Sequence, residues 1–173
     1  HNALLLFASS TSVYGPQSNW VDENCSKKDL KPQSPYADIK LKEEKLISKK
    51  LKNFLVLRLG TIYGFSEGIR FHTAVNKFCY QSATNQPLSI WKSAYNQRRP
   101  YLSLFDLTRA LAFIINNNIQ SNAIYNILSN NYPVKDIVKC IKKINKKTKI
   151  KKVDHEIMNQ LSYNVSNKKF CSL

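Results

Sequence analysis

Two stretches of the chain are apolar almost without interruption: "ALLLFA" at 3–8, which runs into the hydroxyl residues Ser9, Ser10, Thr11 and Ser12, and "FLVLRLG" at 54–60. A strand apolar on both faces belongs inside a parallel sheet with helices above and below. Between these runs, from about Tyr36 to Lys52, Ile39, Leu41, Leu46, Ile47 and Leu51 recur at helical spacing. Strand, helix, strand is the right-handed βαβ unit of an α/β protein. The later pattern predicts a helix over 68–83, a short strand over 87–91 and an extended piece over 100–106. A helix over 106–117 capped by Asp106 follows, then a strand over 122–128 and a helix over 132–147 with Pro133 near its first turn. Residues 149–154 could form a last short strand.

The two buried strands are joined by more than a helix. Residues 13–35, "VYGPQSNWVDENCSKKDLKPQSP", form a long polar segment carrying Gly15, Pro16, Pro32 and Pro35. A loop of that length inside a compact domain is usually functional. It delivers the chain to "SPYADIK", where Tyr36 and Lys40 stand four apart. Such a pair is either the opening turn of an ordinary surface helix or a proton-transfer pair, because positions i and i+4 share one helix face. A unit positive charge about 4 Å from a phenolate, at an effective dielectric near 20, stabilises it by roughly 4 kcal/mol. That would let a tyrosine accept a proton near neutral pH. Ser10 lies 26 residues before Tyr36 at the end of the first strand, and the carboxyl ends of parallel strands are where open α/β sheets bind ligands.

A second glycine-containing stretch is a decoy. "GTIYGFSEG" spaces Gly60, Gly64 and Gly68 four apart after a strand, but it is neither G-x-G-x-x-G nor GK[ST]. It also places Tyr63 and Phe65 where a diphosphate would need close backbone approach, so these read as turn glycines. With four glycines in 173 residues, no dinucleotide fingerprint is hidden elsewhere.

Composition narrows the classes. At 43% hydrophobic and 22% charged residues, the balance is that of a globular protein. No apolar run approaches the roughly 20 residues of a membrane span, and no signal peptide is recognisable. The first residue is His1 rather than Met, so the chain is expected to begin inside a longer protein. The net charge of +16 raises a nucleic-acid reading. The lysines are scattered, no stacking-aromatic motif accompanies them, and a solvated basic face is the expected outcome. Cys25, Cys79, Cys140 and Cys171 form no CxxC pair, and His1, His72 and His155 are equally dispersed. That argues against a metal site and a disulfide framework, and for reduced thiols in the cytoplasm.

"FASSTSVYG", "VDE", "PQSPYADIK", "LRLGTIYG" and "RRPYLSLFDLTRAL" occur in that order. The ordered set resembles the extended short-chain dehydrogenase/reductase family of NAD-dependent nucleotide-sugar epimerases and dehydratases, from the first residues to about Asn167. The resemblance implies the latter part of a Rossmann-type parallel sheet flanked by helices, with a small C-terminal α/β substrate-binding subdomain. The expected division is 1–64 with 101–119 for the cofactor-binding part, and 65–100 with 120–173 for the substrate part. It implies Tyr36 as the base that takes a proton from a sugar hydroxyl and Lys40 as the holder of the nicotinamide ribose. Ser10 would bond the reacting oxygen, with Thr11 as an adjacent alternative contacting substrate.

By the same resemblance, Ser9, Gly60 and Thr61 pass beside NAD, with NADP not excluded. Arg99 would bind the diphosphate of a nucleotide-sugar substrate, although a surface arginine is the competing reading beside Arg98. Asn76 is a weaker candidate for that diphosphate, and Tyr163 either lies near the sugar or is a core tyrosine. Thr11-Ser12 stands where the 4,6-dehydratases carry Asp-Glu, which favours an epimerase. A reductase or decarboxylase on the same fold and a non-catalytic basic binding module are the alternatives. The family's N-terminal glycine fingerprint is absent. The chain therefore reads as the second half of an enzyme that dimerises through the Tyr-Lys helix, and it is expected to be inactive and poorly stable alone.

Overall fold

The computed structural model describes residues 3–26, 28–119, 121–154 and 162–173, so His1 and His155 of the sequence reading lie outside the described residues. Strand β1 (Leu5–Ser10) runs into a 3-10 turn, Thr11–Tyr14, and the following loop contains the two-residue strand β2 (Trp20–Val21). Helix α1 (Pro35–Lys50) begins on the Ser34 side chain, which accepts the Ala37 N–H, with Pro35 in its first turn. Strand β3 (Phe54–Leu59) pairs parallel with β1, Leu5 opposite Phe54 through Ser10 opposite Leu59. The expected βαβ unit is therefore present.

After β3 come β4 (Thr61–Tyr63), α2 (Ala74–Ala83), β5 (Leu88–Trp91) and β6 (Arg98–Ser103). Helix α3 (Leu104–Asn116) leads to β7 (Ala123–Ile127), β8 (Asn130–Pro133) and α4 (Val134–Ile144). The chain closes with β9 (Ile150–Val153), β10 (Asn164–Val165) and the short α5 (Lys168–Cys171). The main sheet has the order β1-β3-β7, all parallel. A second sheet, β4-β6-β8, is parallel between β4 and β6 and antiparallel between β6 and β8. Two parallel ribbons, β10-β2 and β5-β9, complete the pairing.

Several expectations shift. Residues 123–127, assigned above to the substrate part, pair with β3 and bury Tyr125 and Ile127 against Leu55, Leu57, Ala110 and Ile114. An apolar strand buries more area as the third member of the main sheet than it could on a small subdomain. Helix α2 starts only at Ala74, because residues 64–70 are a loop held by the Asn76 amide. Asp106 is not the cap of α3: the Ser103 hydroxyl accepts the Asp106 N–H at 3.0 Å, and Asp106 occupies the first turn, where a carboxylate also suits the helix dipole. Tyr132 and Pro133 belong to β8, leaving α4 to begin at Val134.

Helix α1 turns Ala37, Leu41 and Glu44 inward, at i, i+4 and i+7, while Ile39, Leu46 and Leu51 of the apolar pattern are exposed. Leu41 packs with Val13 and Tyr14 of the 3-10 turn and with Val21, Leu128, Tyr163 and Val165. This cluster ties the helix to the carboxyl end of β1. A separate core of Phe78, Leu88, Ile90, Val134, Val138 and Ile141 holds α2, α4 and β5 together. Strand β1 is the outer strand of the main sheet, and Leu4 and Leu5 near its start remain exposed.

Candidate functional site

Pairing of β1 with β3 sets Ser10 beside Leu59, so the ends of the two strands, and the Gly60-Thr61 step that follows, lie together. Ser10 is half-buried and caps the 3-10 turn: its Oγ accepts from Ser12 N at 3.2 Å and from Ser12 Oγ at 2.9 Å. Both bonds use Ser10 as acceptor and leave its own proton available. Gly60 N donates to Ile127 O at 2.9 Å, and a Cβ there would meet Pro100 O at 3.2 Å and Leu128 at 3.3 Å. The tight crossing favours glycine at this step, since an added Cβ would make its neighbours give way by a few tenths of an ångström.

Tyr36 stands in the first turn of α1, 57% exposed and open to a ligand. Lys40, one turn on, is more enclosed. Its Nζ lies 4.6 Å from the centre of the Phe7 ring on β1 and 3.2 Å from Glu43 Oε2. The ring contact and the ion pair are each worth on the order of 1 kcal/mol or less at a partly exposed position. They hold the ammonium over the first strand without locking it there.

Directly beneath lies a buried polar network. The Arg58 guanidinium on β3 grips Glu44 of α1 with both carboxylate oxygens engaged, Nε to Oε1 at 3.1 Å and Nη2 to Oε2 at 2.7 Å. Ser9 donates its hydroxyl to the same Oε1. Ser9, Arg58 and Glu44 are each 3% exposed. Ser9 was expected beside the cofactor; its hydroxyl is instead turned into the core. The Arg58 guanidinium also lies 4.9 Å over the Tyr14 ring, and Tyr14 donates to Asn126 Oδ1 at 2.9 Å. Burial pushes the Tyr14 phenol up to about 12 against the opposing pull of Arg58, which keeps it a donor. For Arg58, burial pulls the guanidinium down, but its bonds and charge interactions with Glu44 and Tyr14 together outweigh that and hold it above its ordinary value.

Next to Ser10, Thr11 is buried with its Oγ1 3.3 Å from Leu59 O and 3.4 Å from the Tyr163 hydroxyl. Two residues 152 positions apart are thus brought together. Burial raises the Tyr163 phenol, while its bond to Thr11 and the nearby Arg99 charge act the other way. Arg99, Tyr101 and Thr61 line a cavity of about 290 Å³ together with His72, Lys77 and Trp91. The Tyr101 hydroxyl is buried and has no hydrogen-bond partner among the described residues.

The two adjacent arginines are placed differently. Arg98 is fixed outside the cavity by Asn164 Oδ1 at 2.9 Å and Asn131 O at 3.2 Å, whereas the Arg99 guanidinium makes a long 3.5 Å contact to Gln97. Asn76 does not line the cavity. Its Oδ1 accepts from Gly64 N and its Nδ2 donates to Arg70 O, both at 3.1 Å. Lys77, His72, Trp91 and Tyr101 also line this cavity and were not singled out in the sequence, because its walls are assembled from the 72–77 segment, β5 and β6. Glu44 carried no legible signal, because the apolar pattern of its helix did not fix which face turns inward. Among the described residues no group of three or more His, Cys, Asp or Glu could hold a metal ion, and no helix is long and apolar enough to cross a membrane.

Residues 1–127 match the model of the NAD dependent epimerase/dehydratase family. A curated relative, the uncharacterized UDP-glucose epimerase YtcB of Bacillus subtilis (strain 168), is 32% identical over 114 residues, covering 64% of this chain and 34% of the relative. Among solved structures, the UDP-glucuronic acid 4-epimerase of Bacillus cereus, in complex with UDP-glucuronic acid and NAD, superposes with a TM-score of 0.82 at 23% identity, over 97% of this chain and 54% of that one. The dTDP-glucose 4,6-dehydratase of Bacillus anthracis str. Ames, in complex with NAD, gives 0.80 at 19% identity, over 98% and 54%. Both likenesses establish the fold. The chain spans about half the length of these solved relatives, and its match to the curated one spans about a third.

Proposed function

The chain belongs to the NAD-dependent epimerase/dehydratase family, and from that premise we propose that it supplies the catalytic and substrate-binding half of an NAD-dependent nucleotide-sugar epimerase. One observation carries the reading. Ser10 ends the first parallel strand, the helix bearing Tyr36 and Lys40 packs against that same end, and the Arg99 cavity reaches it through Thr61. In this reading Tyr36 takes a proton from a sugar hydroxyl and later returns it to the same oxygen. Ser10, whose oxygen already accepts twice, donates its proton to the reacting oxygen. Lys40 stabilises the phenolate and holds the ribose, and Arg99 pairs with the diphosphate as a fixed fork of donors. Bound NAD would supply the hydride acceptor and donor.

The residues present fit the nicotinamide end of that cofactor. None fits its adenosine diphosphate end, since the four glycines, Gly15, Gly60, Gly64 and Gly68, form no phosphate-binding fingerprint. We therefore place the missing part of the site on a preceding segment whose last strand pairs with the open edge of β1. An epimerase is favoured over a dehydratase because Thr11 and Ser12 follow Ser10, and neither offers the acid or base that water elimination needs. A homodimer through α1 accords with the exposed Ile39 and Leu46 on its outer side. A cytoplasmic setting accords with four free cysteines.

The test uses the full-length protein with UDP-sugars, following conversion between C4 epimers. Tyr36→Phe should lower kcat by about a hundred-fold or more with KM changed little. Wild-type turnover in Tyr36→Phe would end the assignment. Turnover of a 4,6-dehydration instead of epimerisation would move the chain to the other branch of the family. Gel filtration showing a full-length monomer would remove the dimer.

A further inference from the structure

We infer that Glu44 is a positioning residue for the reaction: its buried carboxylate fixes how α1 sits on the sheet, and so where Tyr36 stands relative to Ser10. The inference rests on the reading of Tyr36 as the proton-transfer tyrosine. The geometry is specific. Positions 36, 40 and 44 are successive i, i+4 steps along α1, each turned about 40° from the last, so one line of side chains runs from the exposed Tyr36 through Lys40 to the buried Glu44, two turns further along. One of its oxygens takes the Ser9 hydroxyl and Arg58 Nε, and the other takes Arg58 Nη2. Ser9 immediately precedes Ser10. Arg58 lies two residues before Gly60 and three before Thr61, and is in register with Ser9.

A single carboxylate thus ties together the three segments that carry the proposed catalytic and nicotinamide-side groups. The tie is rigid in a way that the helix's apolar contacts are not. Leu41 can slide by a fraction of an ångström against Val13 and Tyr14 at small cost, because dispersion is non-directional. A bidentate guanidinium–carboxylate pair with a third donor defines both the roll and the height of the helix. Proton transfer between Tyr36 and a substrate oxygen is sensitive to displacements of about 1 Å, which can cost up to a hundred-fold in rate.

The experiment uses variants that keep the charge pair. Ser9→Ala removes one donor, Arg58→Lys keeps the charge and loses the fork, and Ser9→Thr restores a hydroxyl. Two readouts are combined on the full-length protein. In the first, 3-fluorotyrosine is placed at position 36 and its fluorine resonance is followed, with thermal unfolding as the control for the fold. Ser9→Ala and Arg58→Lys should move the resonance, and Ser9→Thr should return it to the wild-type position. In the second, kcat should fall on the order of ten-fold in Ser9→Ala, with KM within two-fold of wild type. In a Tyr36→Phe background, Ser9→Ala should change kcat little, since no phenol remains to be positioned.

An unmoved fluorine resonance in both Ser9→Ala and Arg58→Lys would overturn the inference. So would a loss in kcat that is undiminished in the Tyr36→Phe background, which would mark a general structural effect. The fluorine arm stands without turnover. A wild-type protein inactive on every UDP-sugar would therefore count against the proposed function while this arm still decides the role of Glu44.

Discussion

Replacing Arg58 by Met should be among the most damaging single changes in the molecule, and adding Glu44→Leu should reverse most of the damage. Arg58 and Glu44 are each 4% exposed in their side chains, with donor–acceptor distances of 3.1 and 2.7 Å. Taking away the guanidinium leaves a carboxylate in the core with the Ser9 hydroxyl as its remaining donor among the described residues. Breaking a buried pair in this way costs about 3–5 kcal/mol, a large share of the roughly 5–15 kcal/mol that stabilises a typical domain. Glu44→Leu alone should cost less, because the Arg58 guanidinium keeps its stacking on Tyr14 at 4.9 Å, worth about 2 kcal/mol when desolvated.

The double variant carries no buried charge and fills similar volume, so it should lie within about 2 kcal/mol of wild type. Urea unfolding of the full-length protein at neutral pH measures all three. If Arg58→Met does not accumulate folded, recovery of soluble protein on adding Glu44→Leu reports the same coupling. Single variants within about 1 kcal/mol of wild type would show that the pair is not desolvated as its burial implies. A double variant as unstable as the sum of its singles would show that the two residues do not act as a pair.

Four further outcomes follow from individual contacts. Arg99→Met should weaken UDP binding by about ten-fold or more, read by calorimetry. Arg98→Met should leave that affinity unchanged and lower the thermal midpoint, since Arg98 bridges Asn164 and Asn131; equal loss of UDP affinity in both would refute the division of labour. Gly15→Ala should cost about 3 kcal/mol, because Gly15 has φ +64 and ψ −162 and an added Cβ would sit 1.9 Å from Lys31 O; a cost below about 1 kcal/mol would contradict the strain. Asp106→Asn should flatten the loss of stability on acidification. The Ser129 hydroxyl, followed by Ser103, holds the Asp106 carboxyl below its ordinary range, so its contribution is present above the unfolded pKa and lost as pH falls through the folded one; unchanged acid unfolding in Asp106→Asn would count against it. The 173-residue chain alone should bind NAD more weakly than about micromolar and unfold without a sharp transition, and calorimetric micromolar affinity with cooperative melting would show that it holds a complete cofactor site.

The main sheet was legible because the runs that form β1 and β3 are almost continuously apolar in the sequence, a pattern that suits strands of a covered parallel sheet. The helix between them was legible as a helix but not in its orientation. Five apolar residues at helical spacing include three, Ile39, Leu46 and Leu51, that stay exposed, while a glutamate is buried. Periodicity reports the element, and only the pairing of Glu44 with Arg58 decides the face. Strands of two or three residues such as β2, β4 and β10 owe their existence to a partner rather than to composition, and nothing in their own sequence announces them. Tyr36, Lys40 and Ser10 could be proposed from spacing because strand end and helix start are local features. The cavity around Arg99 could not, since Lys77, Trp91 and Tyr101 are brought to it by α2, β5 and β6.

The two faces of the main sheet differ in kind, and the difference bears on why the polar network sits where it does. On one face, Leu55, Leu57, Tyr125 and Ile127 bury against Ala110 and Ile114 of α3, with Phe170 of α5 at the side. That face is apolar and could be repacked with little consequence for chemistry. On the other, one register row runs Ser9, Arg58, Asn126 across all three strands. Ser9 and Arg58 are tied to Glu44 of α1, Arg58 and Asn126 to Tyr14 of the 3-10 turn, and Asn126 also to Glu23 and Ser166 of the flanking loops. Apolar residues in that row would bury as well and would remove the risk of an unpaired charge. They would also leave the helix and the loop free to settle in any of several similar packings. The row lies one residue before the strand ends, directly under Ser10 and the Gly60-Thr61 step. A core whose bonds have direction is thus placed where an error in the height of one helix would separate the proposed base from its substrate.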